Sequence, residues 1–185
     1  SDVCHKHGLY LFVDGARLSY GLSGENNDVT IQDIAALSDV FFIGGTKCGL
    51  LFGEAVVITN DELKPCFRHY MKQKGAMLAK GWLLGIQFKE MFKDGLYFEI
   101  GKKAVEQALR IKKAFKDKGI TLASDSPTNQ QFVIMKDSDL EKLGKKYFYE
   151  YEERVDENHS NVRFCTSWAT TDAEIDELVK DIAAL

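Results

Sequence analysis

Two short runs, Leu9-Tyr10-Leu11-Phe12-Val13 and Val40-Phe41-Phe42-Ile43, are apolar at every position. A strand with one face in water alternates polar and apolar residues. A strand with no polar position belongs in a sheet covered on both faces, which is the pattern of parallel α/β architecture. Between the two runs, Thr30 stands where it caps a helix reaching to Leu37, with Ile31, Ile34, Ala35 and Leu37 on one face. Strand, crossover helix and strand make a βαβ unit. Ala55-Val56-Val57-Ile58 follows the glycine-bounded segment Gly49 to Gly53 and predicts a third buried strand.

The alternation then stops. Residues 61–92 read as one helix, with Pro65 near its start and small residues Gly75, Ala79, Gly81 and Gly85 that suit close helix packing. A boundary is predicted at Asp94-Gly95, dividing the chain into residues 1–94 and 95–185. Beyond it come an amphipathic helix over 100–118, strands at 121–123, 131–135, 148–152 and 162–166, and helices at 137–143 and from 171 to the end. This half reads as a small α+β domain, an antiparallel sheet with helices on one face.

Composition narrows the function classes. The chain has 185 residues, 45% of them hydrophobic, enough for a sizeable core. A net charge of -4 and a pI near 5.6 argue against a nucleic-acid or acidic-membrane partner, since both select basic surfaces. No apolar run approaches the roughly 20 residues that span a bilayer. The opening Ser1-Asp2-Val3-Cys4-His5-Lys6-His7 is polar and lacks the apolar core of a secretory signal. Four scattered cysteines (Cys4, Cys48, Cys66, Cys165) without CxxC spacing suit thiols in a reducing cytoplasm and give no zinc pattern, so no metal is expected. A start without Met that runs straight into an apolar strand leads to the expectation of a piece of a longer protein.

In open α/β sheets, ligands sit at the carboxyl ends of strands. Asp14-Gly15-Ala16-Arg17 follows the first strand and Gly44-Gly45-Thr46-Lys47-Cys48-Gly49 follows the second. Each residue alone has a plainer reading: Asp14 as a turn former, Lys47 as an exposed loop lysine, Arg17 as surface. Together, an acid, an arginine and a lysine at one rim match what a pyridoxal 5'-phosphate (PLP) site requires. A carboxylate keeps the pyridine nitrogen protonated, and a lysine forms the imine with the cofactor aldehyde. An arginine grips a phenolic oxygen or a carboxylate, and neighbouring glycines let the backbone approach closely. No G-x-G-x-x-G follows the first strand, so a nicotinamide site is a poor alternative.

The paired motifs at this separation resemble the threonine aldolase group, which lies among the fold-type-I PLP enzymes and the wider β-eliminating lyases. Val162-Arg163-Phe164-Cys165-Thr166-Ser167-Trp168 is similar to the family's strand that carries a carboxylate-binding arginine. The resemblance covers the whole chain. It implies an α/β fold in which residues 1–94 are the C-terminal part of an aspartate aminotransferase-like PLP-binding large domain and residues 95–185 the small C-terminal α+β domain. By the same resemblance Lys47 is the Schiff-base lysine and Asp14 pairs with the pyridine nitrogen. Ala16 packs on a ring face, Arg17 lies near the phenolic oxygen and substrate carboxylate, Thr46 supports the lysine or the phosphate, and Arg163 binds the α-carboxylate.

The implied reaction is cleavage of a threonine-like β-hydroxy-α-amino acid to glycine and an aldehyde, by a cytoplasmic homo-oligomer, dimer or tetramer. β-Elimination of the tryptophanase or tyrosine phenol-lyase type remains an alternative, as does a catalytically inactive fragment. The chain departs from the family pattern in having no phosphate-binding loop and no ring-stacking group ahead of Asp14. His5 and His7 do not replace them, because they precede the first strand and belong at its other end. Lys72, Lys74 and Lys80 are the basic candidates for a contribution to a neighbouring subunit's site.

Overall fold

The computed structural model describes all residues, Ser1–Leu185, and divides into two compact units. The first comprises Ser1–Leu22 and Asn27–Glu99; the second comprises Ser23–Asn26 and Ile100–Leu185. In the first unit the elements run α1 (Asp2–Lys6), β1 (Phe12–Val13), α2 (Leu18–Leu22), α3 (Ile31–Leu37), β2 (Val40–Gly44), β3 (Glu54–Ile58), α4 (Phe67–Gln73) and α5 (Trp82–Phe92). The helix α6 (Leu96–Asp117) starts here and continues into the second unit.

The first sheet has the order β1-β2-β3. β1 lies parallel to β2, with Phe12 opposite Val40, and β2 lies antiparallel to β3, with Phe41 opposite Val57 and Gly44 opposite Glu54. Flanked on both edges, β2 buries Phe41 and Ile43. The outer strands differ from the sequence expectation. A five-residue strand buried on both faces was expected over 9–13, yet β1 has two residues, and Leu9, Tyr10 and Phe12 are exposed, Phe12 at 57%. β1 is an edge strand in this sheet, and the Phe12 ring meets the Phe42 ring at 5.8 Å without being covered. β3 likewise leaves Val56 exposed.

The amino end of β2 is tied to its neighbours by one carboxylate, that of Asp39. Asp39 accepts from Leu11 N–H (2.7 Å), Asn60 Nδ2 (2.8 Å) and the His5 ring (3.0 Å). These donors, the Leu11 amide foremost, hold its carboxyl down to about 2. His5 is thereby fixed at the amino end of β2, the rim opposite Gly44. α3 begins as the sequence implied: Thr30 and Asp33 form a reciprocal capping box.

The single helix expected over 61–92 is broken. A 3₁₀ turn at Asp61–Leu63 precedes Pro65, and Cys66 takes a left-handed backbone (φ 60°) before α4. Gly75, at φ 75°, follows the end of α4, and an irregular connection leads to α5. Proline removes a helical donor and left-handed residues turn the chain out of the helical path, so the apolar content of this segment does not make it continuous. Asp94 (φ 53°) and Gly95 (φ 79°) set a further kink between α5 and α6.

The second unit adds β4 (Thr121–Ser124), β5 (Gln130–Lys136), α7 (Asp137–Leu143), β6 (Glu150–Arg154), β7 (His159–Cys165) and α8 (Asp172–Ala184). Its sheet is antiparallel throughout, in the order β4-β5-β7-β6. Strand alternation sends Val133 and Met135 of β5 and Val162 and Phe164 of β7 to one face. There they meet Ile111 and Phe115 of α6, Leu140 and Leu143 of α7, and Ile175, Leu178 and Ile182 of α8. On α6, Ala104, Ala108, Ile111 and Phe115 recur at helical spacing and are all buried. α8 opens with a Thr171/Glu174 capping box.

Candidate active site

The site is built where β1 and β2 end. After Val13 the chain turns across the last residues of β2, so closely that a Cβ on Gly15 would stand 1.7 Å from the Phe42 carbonyl oxygen. A Cβ on Gly44 would stand 2.4 Å from the Ala16 carbonyl oxygen. Only backbone without a side chain fits at these two positions. Gly44 N–H then donates to the Gly15 carbonyl at 2.8 Å, and Asp14 Oδ1 accepts from Ala16 N–H at 3.0 Å, shaping the turn into α2.

Past β2, Thr46–Cys48 form a single 3₁₀ turn that ends at Gly49, φ 99°. Its hydrogen bonds run from Cys48 N–H and Leu50 N–H to the Gly45 carbonyl, at 2.9 and 3.1 Å. The Tyr20 hydroxyl, on the helix that starts just after Arg17, donates to the Lys47 carbonyl oxygen. The two motifs are thus stitched together twice, once at Gly15–Gly44 and once at Tyr20–Lys47.

Beneath the exposed turn lies a buried polar cluster of Ser19, Tyr20, Cys48 and Tyr97. Ser19 N–H donates to the Tyr97 hydroxyl (3.1 Å) and the Ser19 hydroxyl donates to the Tyr97 carbonyl (2.6 Å). Burial pushes both the Cys48 thiol and the Tyr97 phenol up, which keeps them neutral. Above the cluster, Asp14, Arg17, Thr46 and Lys47 face solvent, with Ala16 half-buried among them. Neither the Arg17 guanidinium nor the Lys47 amine is engaged by any hydrogen bond or ion pair within the chain. Partial burial pushes the Glu54 carboxyl up; Gly45 N–H and Lys47 pull it down, and Asp14 pushes it up again. Asp14, Lys47 and Glu54 therefore share one electrostatic neighbourhood.

Five of the six residues singled out from the sequence, Asp14, Ala16, Arg17, Thr46 and Lys47, lie in these two adjoining segments of the first unit. Arg163 belongs to the second unit, on the face of β7 away from the helices. Its Nε lies 3.1 Å from Glu152 Oε1, and its guanidinium carbon lies 6.0 Å from the centre of the Phe132 ring. Two residues of the rim escaped the sequence reading. Tyr20 lies in a polar, glycine-dotted stretch with no helical period, and Glu54 is the polar start of an apolar strand, so neither carries a sequence signal. No three His, Cys, Asp or Glu side chains gather into a metal-holding group, and no helix is long and apolar enough to cross a membrane.

No protein-family model matches the chain. Among characterised proteins it is similar to the low specificity L-threonine aldolase of Pseudomonas sp. (strain NCIMB 10558), 30% identical over all of this chain and 53% of that protein. Its fold superposes on a Leishmania major threonine aldolase with a TM-score of 0.96 at 45% identity, covering 99% of this chain and 54% of the other. A serine palmitoyltransferase from S. paucimobilis with a bound PLP–myriocin aldimine shares the fold at a TM-score of 0.65 and 15% identity, over 99% of this chain and 48% of that one. The fold is α/β, of the fold-type-I PLP-enzyme kind. The likeness to these threonine aldolases covers the whole of this chain, which spans about half their length.

Proposed function

We propose that this threonine-aldolase-like chain is part of an enzyme that uses PLP to cleave a β-hydroxy-α-amino acid, such as threonine, to glycine and an aldehyde. The observation that carries this reading is that the segments bearing Asp14, Arg17 and Lys47 adjoin at the strand ends through the Gly15–Gly44 and Tyr20–Lys47 hydrogen bonds, with neither cation engaged inside the chain. Uncommitted charges beside backbone that tolerates no Cβ suit a flat, charged ligand lying close to that backbone. Ring nitrogen, phenolic oxygen and aldehyde of PLP are the complementary groups, so the residues present fit the cofactor. When bound, PLP supplies an electron sink for the charge left on Cα as the Cα–Cβ bond breaks.

The residues divide the work. Lys47 would offer the amine that condenses with the cofactor aldehyde, with loss of water, on a turn held from below by Tyr20. Asp14 keeps a proton on the pyridine nitrogen, and the Ala16 methyl is small enough to lie against a ring face. Arg17 binds the phenolic oxygen and the substrate carboxylate, and the Thr46 hydroxyl supports Lys47 or the phosphate. Arg163 takes the α-carboxylate in a charge-assisted pair. In this structure Arg163 forms an ion pair with Glu152 without a well-aligned hydrogen bond from its Nε, so the substrate carboxylate would take the place of a protein carboxylate. The exchange costs little net charge separation and favours only ligands that present a carboxylate.

The phosphate loop, the ring-stacking group and the proton acceptor for the β-hydroxyl are assigned to the half of the relatives' length that this chain does not span. The exposed apolar surface of α5 (Trp82, Leu83, Ile86) supports a homo-oligomer, with Lys72, Lys74 or Lys80 reaching a neighbouring site. The cysteine pattern supports a reducing, cytoplasmic setting.

Product analysis tests the reading. Supplied with PLP and threonine, the protein at the full length of its relatives should release acetaldehyde and glycine in equal amounts, and Lys47→Ala should abolish the release. A 2-oxo acid and ammonia from substrates with a β-leaving group, with no acetaldehyde from threonine, would establish the eliminating alternative instead.

A further inference from the structure

We infer that Glu54 is a positioning residue for Lys47: its carboxylate pins the glycine end of the lysine-bearing loop through the Gly45 N–H. This rests on the reading of Lys47 as the imine-forming lysine. The loop leaves β2 at Gly44 and returns as β3 at Glu54, and these two residues are partners in the strand ladder. Gly45 is the first residue past the ladder, and its N–H is satisfied by the Glu54 Oε2 at 3.0 Å.

The packing leaves little room for another arrangement. A Cβ on Gly45 would lie 2.8 Å from Leu50 Cδ2, 3.0 Å from the Gly53 carbonyl and 3.1 Å from the Phe88 ring. The loop folds back on its own start, so an acceptor for Gly45 has to reach in from the neighbouring strand. Two further side chains hold the loop backbone: Tyr20 at the Lys47 carbonyl, and Gln87, whose Oε1 accepts from Leu51 N–H at 2.8 Å. Of the three, Glu54 alone carries a charge.

That charge has consequences beyond tethering. The Glu54 carboxyl responds to Lys47, which pulls its proton affinity down, and to Asp14, which pushes it up. A lysine that must lose a proton to attack a carbonyl is sensitive to any carboxylate in its surroundings. Glu54 therefore links the shape of the loop to the charge balance of Asp14 and Lys47.

Separate experiments address the tether and the charge, and neither needs turnover. Glu54→Gln keeps an acceptor oxygen for Gly45 and loses the charge, whereas Glu54→Ala loses both. Amide exchange over Gly45–Cys48 should rise roughly tenfold in Glu54→Ala and stay near the parent value in Glu54→Gln. Equal exchange in all three proteins overturns the tether. The midpoint of the Glu54 carboxyl in a carbon NMR titration should move up in Lys47→Met and down in Asp14→Asn. An unmoved midpoint in both overturns the electrostatic link, and it does so even where Glu54→Ala does not fold. Failure of PLP to label Lys47 would count against the cofactor reading alone, because exchange and titration are read without cofactor.

Discussion

The two units solve the burial problem differently. The second closes its own core: β5 and β7 send alternate side chains into one layer covered by α6, α7 and α8, and Phe115, Val133, Val162 and Ile182 are all but inaccessible. Its only large exposed hydrophobics are Phe148, Tyr151, Val155 and Trp168. The first unit covers β2 and the polar cluster under Lys47, yet leaves Leu9, Tyr10, Phe12, Tyr70, Trp82 and Ile86 in water. Its order comes from backbone close-packing and from side chains hydrogen-bonded to loops. A region that spends its packing on holding loops rests its stability on a few specific tethers.

Paired core substitutions give the largest expected contrast. Phe115→Ala, which empties the centre of the second unit, should lower stability by about 3–5 kcal/mol in urea melts. Tyr70→Ala, at a side chain 60% exposed in the first unit, should stay within about 0.5 kcal/mol. Similar losses for the two would erase the distinction between the units.

Next in size is the rim itself. Gly15→Ala sets a methyl against the Phe42 carbonyl and should cost roughly 1–3 kcal/mol. Because the strain sits between the two motifs, the variant should also lose PLP labelling of Lys47 while far-ultraviolet circular dichroism persists. Thr171→Ala, which removes the cap of α8, should cost about 1 kcal/mol and leave Lys47 labelling untouched.

Acid should separate the tethers of the first unit by sign. Asp39 is held at about 2, below an ordinary carboxylate, so its stabilising contribution is complete above about pH 4. It fades as the pH falls through about 2 and should vanish in Asp39→Asn. Glu54 is shifted the other way, so its charged form is a cost that acidification relieves as the pH falls through its raised midpoint. Urea melts between pH 6 and 2 on Asp39→Asn and Glu54→Gln should therefore show opposite changes in slope.

Much of this was legible in the sequence where short-range rules suffice. The cap at Thr30, the strands β5 and β7, the span of α7 and the start of the last helix near Thr171 follow from local pattern, and so does the placement of Asp14 and Lys47 at strand ends. What escaped depends on partners far along the chain. The burial of 9–13 was overestimated because apolar composition reports what a strand prefers and not what flanks it. The break of 61–92 needed backbone signs at Cys66 and Gly75 that apolar content conceals. Glu54 gained its meaning only when the antiparallel return of β3 set it beside Gly45. Arg163 was recognised, but its pairing with Glu152 crosses the β6–β7 ladder and leaves no mark on sequence spacing.

The most direct measurement is borohydride reduction in the presence of PLP, followed by peptide mapping of the pyridoxyl adduct. A single adduct on Lys47, absent in Lys47→Ala and weakened in Asp14→Asn, is the predicted result. Reduction that labels lysines across the surface without preference for Lys47, in this chain and in the protein at the full length of its relatives, would contradict the assignment of the Asp14–Lys47 rim as a cofactor site.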